Sequence, residues 1–332
     1  MRKRYTAAFA IAFIATAAVF VVSAQDSSNS DGEANVEREI LMAVTSGRIR
    51  SAPSLQGKIL RESTLGTRFK AIAEKNGWDE VRLESTGDDE KTGWISRSIT
   101  QPYDRVKPGV QMQAIAGKYF ARKKMRFSTA KQLFEALPGA ADEAKTFEIG
   151  GDLRLKSLEA LSIALKTIPF GKEKASPYKE FLEKYKTDVV YSEPAGEWYV
   201  RADRFWELHG RYKKHKVGEE IAWRAAANPI PGECEGYINC YLYLLRVTQG
   251  EYMNFYPSGK YSRQALLNMR AMLQPIVSDV RTKTVYYTTS DVSDRAEFNK
   301  MLSELRKIVA STPFVEKQLV LKQIADIAEG YR

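Results

Sequence analysis

Residues 43–100 alternate apolar and polar positions over short runs that are separated by glycine, proline and polar turns. The alternation is clearest at residues 68–72 and 79–83, and it has the period of a strand with one buried face. Five such strands in fewer than 60 residues can bury their apolar faces only by curling against one another. The pattern therefore predicts a small all-β barrel over residues 43–100.

After a proline-containing linker at residues 101–113, the hydrophobic period becomes that of helices. One clear apolar stripe consists of Leu158, Leu161, Leu165 and Ile168. Residues 189–200 do not follow this helical period, and they are interpreted as a short hairpin or an irregular crossing. Residues 114–332 are therefore predicted to form an all-α domain of about eight helices.

Residues 240–256 are apolar nearly all round, which is typical of a helix at the centre of a domain. A Tyr256-Pro257 turn then leads through Tyr261 to a helix that carries Ala265. This arrangement resembles a tetratricopeptide-type unit and is similar to the Tyr-Pro-x-x-x-Tyr-x-x-x-Ala pattern of outer-membrane assembly lipoproteins. The resemblance covers one unit, because no period of roughly 34 residues recurs.

The first 24 residues have the layout of a signal peptide. Three basic residues at positions 2–4 precede an uncharged apolar run, and a small-residue pattern ends at Ala24. We expect cleavage there, with an uncleaved anchor as the alternative. Residues 25–42 begin with a polar stretch that has almost nothing to bury, and they are predicted to be a disordered spacer. The protein is therefore expected to be exported, to the periplasm or the cell exterior.

Export restricts the classes of partner. It excludes nucleic acid, and no apolar stretch after the signal peptide is long enough to cross a membrane. Removal of residues 1–24 lowers the formal charge from +10 to +7, because it removes three Lys/Arg and no acidic residue. A mildly basic protein weakly favours anionic envelope polymers as partners.

Several motifs in the predicted barrel carry a family resemblance. In order and spacing they resemble the bacterial SH3 domain, a compact β-barrel attached to many exported bacterial proteins. The matching segments are residues 49–54, 57–60, 65–67, 77–82 and 92–96, which include two Gly-Trp pairs and an apolar-Arg-Ser-x-Pro opening. The longer acidic loop at residues 84–91 departs from the family, which usually has a short turn there. The resemblance implies that Trp78 and Trp94, with Arg50, line a groove for peptidoglycan peptide or another extended ligand. The alternative is that both rings pack in the core.

Cys234 and Cys240 are the only cysteines. In one regular helix a separation of six residues gives about 9 Å of rise, more than a disulfide spans, so a bond needs a bend between the two residues. Gly236 provides that freedom. In an oxidising compartment we predict a Cys234–Cys240 disulfide, with two free thiols as the alternative.

The sequence offers little for catalysis. His209 and His215 are the only histidines, and the basic residues around them suggest a solvated helix end. Both precede the cysteines, whereas a cell-wall Cys peptidase needs its His downstream, and zinc hydrolases need more His ligands. No helical transglycosylase pattern is evident. We therefore expect no catalytic residue, no metal site and no cofactor.

These observations predict a multi-domain protein, with an SH3-like barrel followed by an all-α domain. The expected function is non-catalytic binding of cell-wall or protein partners in the envelope. One alternative is a cell-wall (peptidoglycan) hydrolase of an unrecognised helical type with an SH3 targeting module. Another is a barrel that docks on its own helical domain and is only structural.

Overall fold

The structure is a computed structural model, and it describes residues 34–83, 91–288 and 292–331. The predicted signal peptide at residues 1–24 lies outside the described residues. So do residues 25–33 of the predicted spacer and residues 84–90 of the acidic loop.

Seven strands at the N-terminal end form one antiparallel sheet, in the order β3-β2-β6-β5-β4-β1-β7. Their bounds are β1 Ala34–Met42, β2 Gly47–Arg50, β3 Ile59–Ser63, β4 Arg68–Lys75, β5 Trp78–Leu83, β6 Lys91–Ser96 and β7 Thr100–Pro102. The predicted alternation is confirmed, because one face of these strands supplies the core of the sheet. That core consists of Ile40, Met42, Ile49, Phe69, Ala71, Val81 and Ile95.

Strand β1 changes the predicted domain boundaries. The prediction of a disordered spacer up to residue 42 is wrong over Ala34–Met42, because this segment lies between β4 and β7. Its Arg38 Nη2 lies 2.5 Å from Oδ1 of the buried Asp79, which is 41 residues away in the sequence. The charged side chains of β1 thus find partners far along the chain, which a local pattern does not reveal.

The predicted linker at residues 101–113 is also too long. Strand β7, Thr100–Pro102, pairs with β1, and the first helix begins at Pro108. Proline at the first helical position suits the start of a helix, because its missing N–H would have no partner there. The helical domain therefore begins six residues before the predicted boundary at residue 114.

The rest of the described chain is mainly helical. The helices are α1 Pro108–Phe120, α2 Phe127–Asp142, α3 Phe147–Lys166, α4 Tyr178–Lys184, α5 Ala202–Tyr212, α6 Lys216–Ala227, α7 Ile238–Leu245, α8 Glu251–Phe255, α9 Ser262–Thr282, α10 Val292–Ser311 and α11 Lys317–Gly330. The described residues thus hold more helical segments than the predicted eight. A hairpin of β8 Val189–Ser192 and β9 Glu197–Val200 interrupts them, which decides between the two interpretations of residues 189–200. None of the helices within the described ranges has both the length and the hydropathy that a membrane span requires.

One helix runs through the centre of the C-terminal core. It consists of α7, a π-helical turn at Arg246–Gly250, and α8. Leu242, Leu245, Tyr252 and Met253 on this helix are fully buried, as predicted for residues 240–256. After the Tyr-Pro turn, the Tyr261 ring stacks on Trp223 with centroids 4.9 Å apart. Tetratricopeptide-like packing beyond this helix pair stays a prediction.

The sheet packs directly against the first helices. Leu41 and Leu65 join an apolar cluster with side chains of α1, α2 and α3, including Met112, Leu133 and Leu153. Polar contacts surround this cluster. The Thr45 N–H donates to the Tyr119 hydroxyl at 3.0 Å, the Tyr103 hydroxyl donates to Glu143 Oε2 at 3.0 Å, and Arg68 pairs with Glu143. The sheet therefore docks on its own helical domain, as one of the structural alternatives predicted.

Candidate functional site

Arg50, Trp78 and Trp94 lie on one face of the sheet. Trp94 is opposite Arg50 on β2 and opposite Glu80 on β5, while Trp78 is opposite Ser96. Paired residues of antiparallel strands point to the same face, and successive residues point to opposite faces. The three predicted site residues therefore share the outer face of strands β2, β6 and β5. The core residues Val81 and Ile95 point to the inner face.

The two Gly-Trp pairs need glycine for different reasons. Gly77 has φ +79° and, with Asn76 at φ +49°, forms the two-residue turn between β4 and β5. Such a turn requires positive φ at both positions. At Gly93, a Cβ atom would stand 2.5 Å from Ile49 Cγ2, so only glycine lets β6 pack closely over the core. Gly77 directly precedes β5 and Gly93 lies within β6, and in each case the next residue is a tryptophan on the outer face.

The loop at residues 51–58 folds over this face. The Arg50 guanidinium donates to the Gly57 carbonyl at 2.8 Å, and the Ser51 N–H donates to the Lys58 carbonyl at 2.9 Å. Arg50 is paired with Trp94, so its bond to Gly57 brings the loop to the side of the sheet that carries Trp94. Trp94 is only 8% exposed, whereas Trp78 and Arg50 are half-buried.

The two tryptophans therefore have different environments. Trp94 is buried, in line with the packing alternative, but on the outer face rather than in the inner core. Trp78 and Arg50 keep part of their surface in contact with solvent. A ligand on this face would contact Trp78 and Arg50 directly, with Trp94 supporting them.

The surroundings of this face are apolar and basic. β3 forms one edge of the sheet, next to β2, and its exposed Ile59 is paired with Arg50 on the outer face. The preceding loop exposes Leu55 and Lys58. Exposed apolar side chains grouped at a sheet edge are typical of a surface that contacts another molecule. Arg50, Trp78, Trp94 and this neighbouring edge are called the outer-face site below.

The predicted disulfide between Cys234 and Cys240 is confirmed, with the two Cα atoms 5.4 Å apart. The chain bends between them through Glu235 and Gly236, both at positive φ. A Cβ atom on Gly236 would stand 2.5 Å from the Tyr286 carbonyl oxygen, so the close approach of residue 286 also requires glycine.

Replacing both cysteines by serine should lower the free energy of unfolding by about 2 kcal/mol, because the bond restricts a short loop in the unfolded chain. Urea unfolding of the oxidised wild type and of the double variant measures this difference. Reductant should destabilise the wild type and leave the double variant unchanged. Equal stability of the two oxidised proteins would contradict the prediction.

The interpretation of His209 as part of a solvated helix end is wrong. His209 is 2% exposed, its Nε2 lies 3.0 Å from the Tyr256 hydroxyl, and desolvation lowers its pKa. Phe255 and Tyr256 pack against His209 and remove it from solvent, although Lys213 lines the same cavity. His215 stacks on Phe147 with centroids 4.2 Å apart. Within the described ranges, no three His, Cys, Asp or Glu residues are grouped to hold a metal ion.

Sequence reasoning missed a cavity of about 570 Å³ in the helical domain. It lies between α5, the π turn with α8, and α10, and Trp206, Tyr243 and Phe255 are among its lining residues. These elements are separated by up to about a hundred residues, so no local pattern connects them. A signal was present in Arg246 and Glu251, two charged residues within a segment that is otherwise apolar nearly all round.

The outer-face site belongs to a segment that matches a known family. Residues 45–100 match the family model described as "Bacterial SH3 domain". Neither the curated proteins nor the solved structures contain a match to the chain. The chain therefore carries a bacterial SH3 domain at residues 45–100, within an N-terminal antiparallel sheet that is followed by a helical domain.

Proposed function

We propose that this protein is a non-catalytic, exported protein of the bacterial envelope whose SH3 domain binds a cell-wall polymer or an envelope protein. The observation that carries the proposal is the position of Arg50 and Trp78, which share the outer face of the sheet and are half-buried. Half-buried aromatic and arginine side chains are the residue types that dominate binding energy at protein surfaces.

The surroundings of the site favour an extended, partly anionic ligand. Exposed Leu55 and Ile59, which is paired with Arg50, offer apolar contacts beside the edge strand β3. Lys58 is exposed next to them. Peptide-bearing wall polymers combine carboxylates with small apolar side chains, so both kinds of contact find a counterpart in such a ligand.

Docking of the sheet on the helices leaves this site available. The contacts with the helical domain use Leu41, Leu65, Arg68 and Tyr103. None of these contacts uses Arg50, Trp78 or Trp94. A structural role of the docked sheet and a binding role of its outer face are therefore compatible.

Two further observations support export. The signal-peptide layout of residues 1–24 is one, and the Cys234–Cys240 disulfide is the other, because disulfides persist mainly in oxidising compartments. Intact mass of the protein from its host tests cleavage after Ala24, and a mass that retains residues 1–24 would instead indicate an anchor.

Co-sedimentation of the full-length mature protein with purified peptidoglycan sacculi tests the binding role. We expect the wild type to sediment, and Trp78→Ala and Arg50→Ala to bind roughly five- to thirtyfold more weakly, since truncating a central contact residue costs about 1–2 kcal/mol. Phe170→Ala is the matched control, because Phe170 is 88% exposed in the helical domain.

Melting temperatures of the variants establish that they are folded. If both site variants sediment as the wild type does, the outer face is not the binding surface for the wall. Release of soluble muropeptides during the incubation would favour the alternative of a cell-wall hydrolase with an SH3 targeting module.

A further inference from the structure

The cavity in the helical domain has the volume of a small-molecule site. Its volume of about 570 Å³ lies within the range of small-molecule pockets, roughly 300–1,000 Å³. α5 forms one wall, α10 forms another, and the end of α7 with the π turn and α8 forms the third. None of these elements belongs to the SH3 domain, so the cavity is separate from the outer-face site.

The π turn shapes the polar side of this cavity. Arg246 and Glu251 are five residues apart and would point in different directions on a regular α-helix. The wider π turn at Arg246–Gly250 brings them together, with Arg246 Nη1 2.5 Å from Glu251 Oε2. Arg246 Nε also bonds to Glu304 Oε2 of α10 at 3.0 Å. Single π turns within α-helices are frequent at functional sites.

Aromatic side chains supply the apolar part of the lining. The rings of Trp206 and Phe255 are tilted by 33° with centroids 6.4 Å apart. The buried His209 ring packs edge-on against Phe255 at 4.6 Å and is held by its bond to Tyr256. Phe255 and Tyr243 are nevertheless 42% and 53% exposed, so the cavity presents aromatic faces that are held in position but left uncovered.

The charges around the cavity balance. Three lining residues are basic and three are acidic, namely Lys213, Arg246, Lys300, Glu251, Glu297 and Glu304. The guanidinium of Arg246 is shared between the carboxylates of Glu251 and Glu304, so this group alone has a formal charge of −1. Lys213 and Lys300, set against Glu297, bring the formal charge of the whole lining to zero. The lining therefore favours a ligand without net charge.

The polar groups are side chains rather than backbone. Extended peptides are recognised largely through backbone hydrogen bonds at a strand edge, and the helical walls offer no such edge. Planar carboxylate and guanidinium groups can each bond two neighbouring hydroxyl or amide groups. A sugar ring has such groups around its rim and an apolar C–H face that stacks on aromatic rings.

We propose that this cavity binds a neutral oligosaccharide that carries hydroxyl and acetamido groups. Trp206, Tyr243 and Phe255 supply the stacking faces, and the Glu251–Arg246–Glu304 group bonds the polar rim of the sugar. This inference rests on the proposed function. In addition to the outer-face site, the helical domain would give the protein a second contact with a wall glycan.

Calorimetric titration of the full-length mature protein with tetra-N-acetylchitotetraose tests this site. We expect saturable binding by the wild type, and binding weakened by about tenfold or more in Phe255→Ala and in Tyr243→Ala. Phe170→Ala should bind as the wild type does. The tetramers of glucosamine and of galacturonic acid, which carry positive and negative charge, should bind more weakly than the neutral tetramer.

Because Tyr243 is more than half exposed, its variant should keep the wild-type melting temperature even if Phe255→Ala is destabilised. The inference is wrong if the neutral tetramer does not bind, if Tyr243→Ala binds it unchanged, or if a charged tetramer binds equally well. Trp78→Ala should bind sacculi more weakly and keep tetramer binding, so failure of the outer-face site and failure of the cavity give different results.

Discussion

A chain that begins at residue 43 should lose the folded N-terminal sheet, whereas a chain that begins at residue 34 should keep it. Strand β1 lies between β4 and β7 and buries Ile40 and Met42. Truncation of one such core side chain costs about 2–5 kcal/mol. Loss of Arg38 would leave the carboxylate of Asp79 buried without this partner, which costs about 3–5 kcal/mol. Together these losses amount to about 7–15 kcal/mol, which is comparable to the roughly 5–15 kcal/mol that stabilises a typical domain.

Hydrogen exchange of the amides in β4 and β5 measures this effect in the two chains, both ending at residue 332. We expect strong protection in the longer chain and rapid exchange in the shorter one. The helices of the C-terminal core serve as the internal control and should be protected in both. Equal protection of β5 in the two chains would show that residues 43–100 fold without β1, as the sequence pattern alone predicts.

Trp94→Ala should lower the free energy of unfolding of the SH3 domain by about 3–5 kcal/mol, the usual cost of removing a buried tryptophan. The 8% exposure of Trp94, beneath the loop that Arg50 holds through Gly57, is the reason. Trp78→Ala is the matched comparison and should cost clearly less, because Trp78 is half-buried on the same face. Denaturant unfolding of the two variants measures the difference.

If Trp94→Ala costs less than about 1 kcal/mol, the ring is not tightly packed and a direct contact with ligand becomes the better explanation. If it unfolds the domain while Trp78→Ala binds weakly but stays folded, the two rings have the separate roles that their burial indicates.

The parts of the fold that depend on local signals were predictable. Asn76-Gly77 sets a two-residue turn, and Gly93 is needed where β6 crosses Ile49, so the Gly-Trp pairs identify these strands from sequence. The bend at Gly236 likewise allows the Cys234–Cys240 bond. In each case one or two neighbouring residues determine the geometry.

Strand β1 could not be predicted because its pairing is decided far away in the sequence. Glu37 pairs with Lys70, Arg38 with Asp79 and Glu39 with Arg105, so a run of charges that looks solvated has a partner for each side chain. Ile40 and Met42 are too short a signal to establish a strand without those partners.

The candidate sites were predictable to different degrees. Strand pairing places Arg50, Trp78 and Trp94, the residues named from the resemblance, on one face of the sheet, and their role in binding stays a prediction. The resemblance did not distinguish the buried Trp94 from the half-buried Trp78, since the loop at residues 51–58 decides their burial. His209 was misjudged because the residues that cover it, Phe255 and Tyr256, lie far along the chain. The cavity depends on packing between α5, α8 and α10, which the sequence does not specify locally.

Hydrogen exchange of the full-length mature protein bound to sacculi tests the central claim most directly, because it locates the contact surface without a mutation. The outer-face site predicts added protection at residues 47–60, in β5 around Trp78, and in β6 around Trp94, relative to the free protein. The contacts of the sheet with α1 and α2 should be unchanged. Protection confined to the helical domain, or none anywhere, would contradict wall binding through the outer face of the SH3 domain.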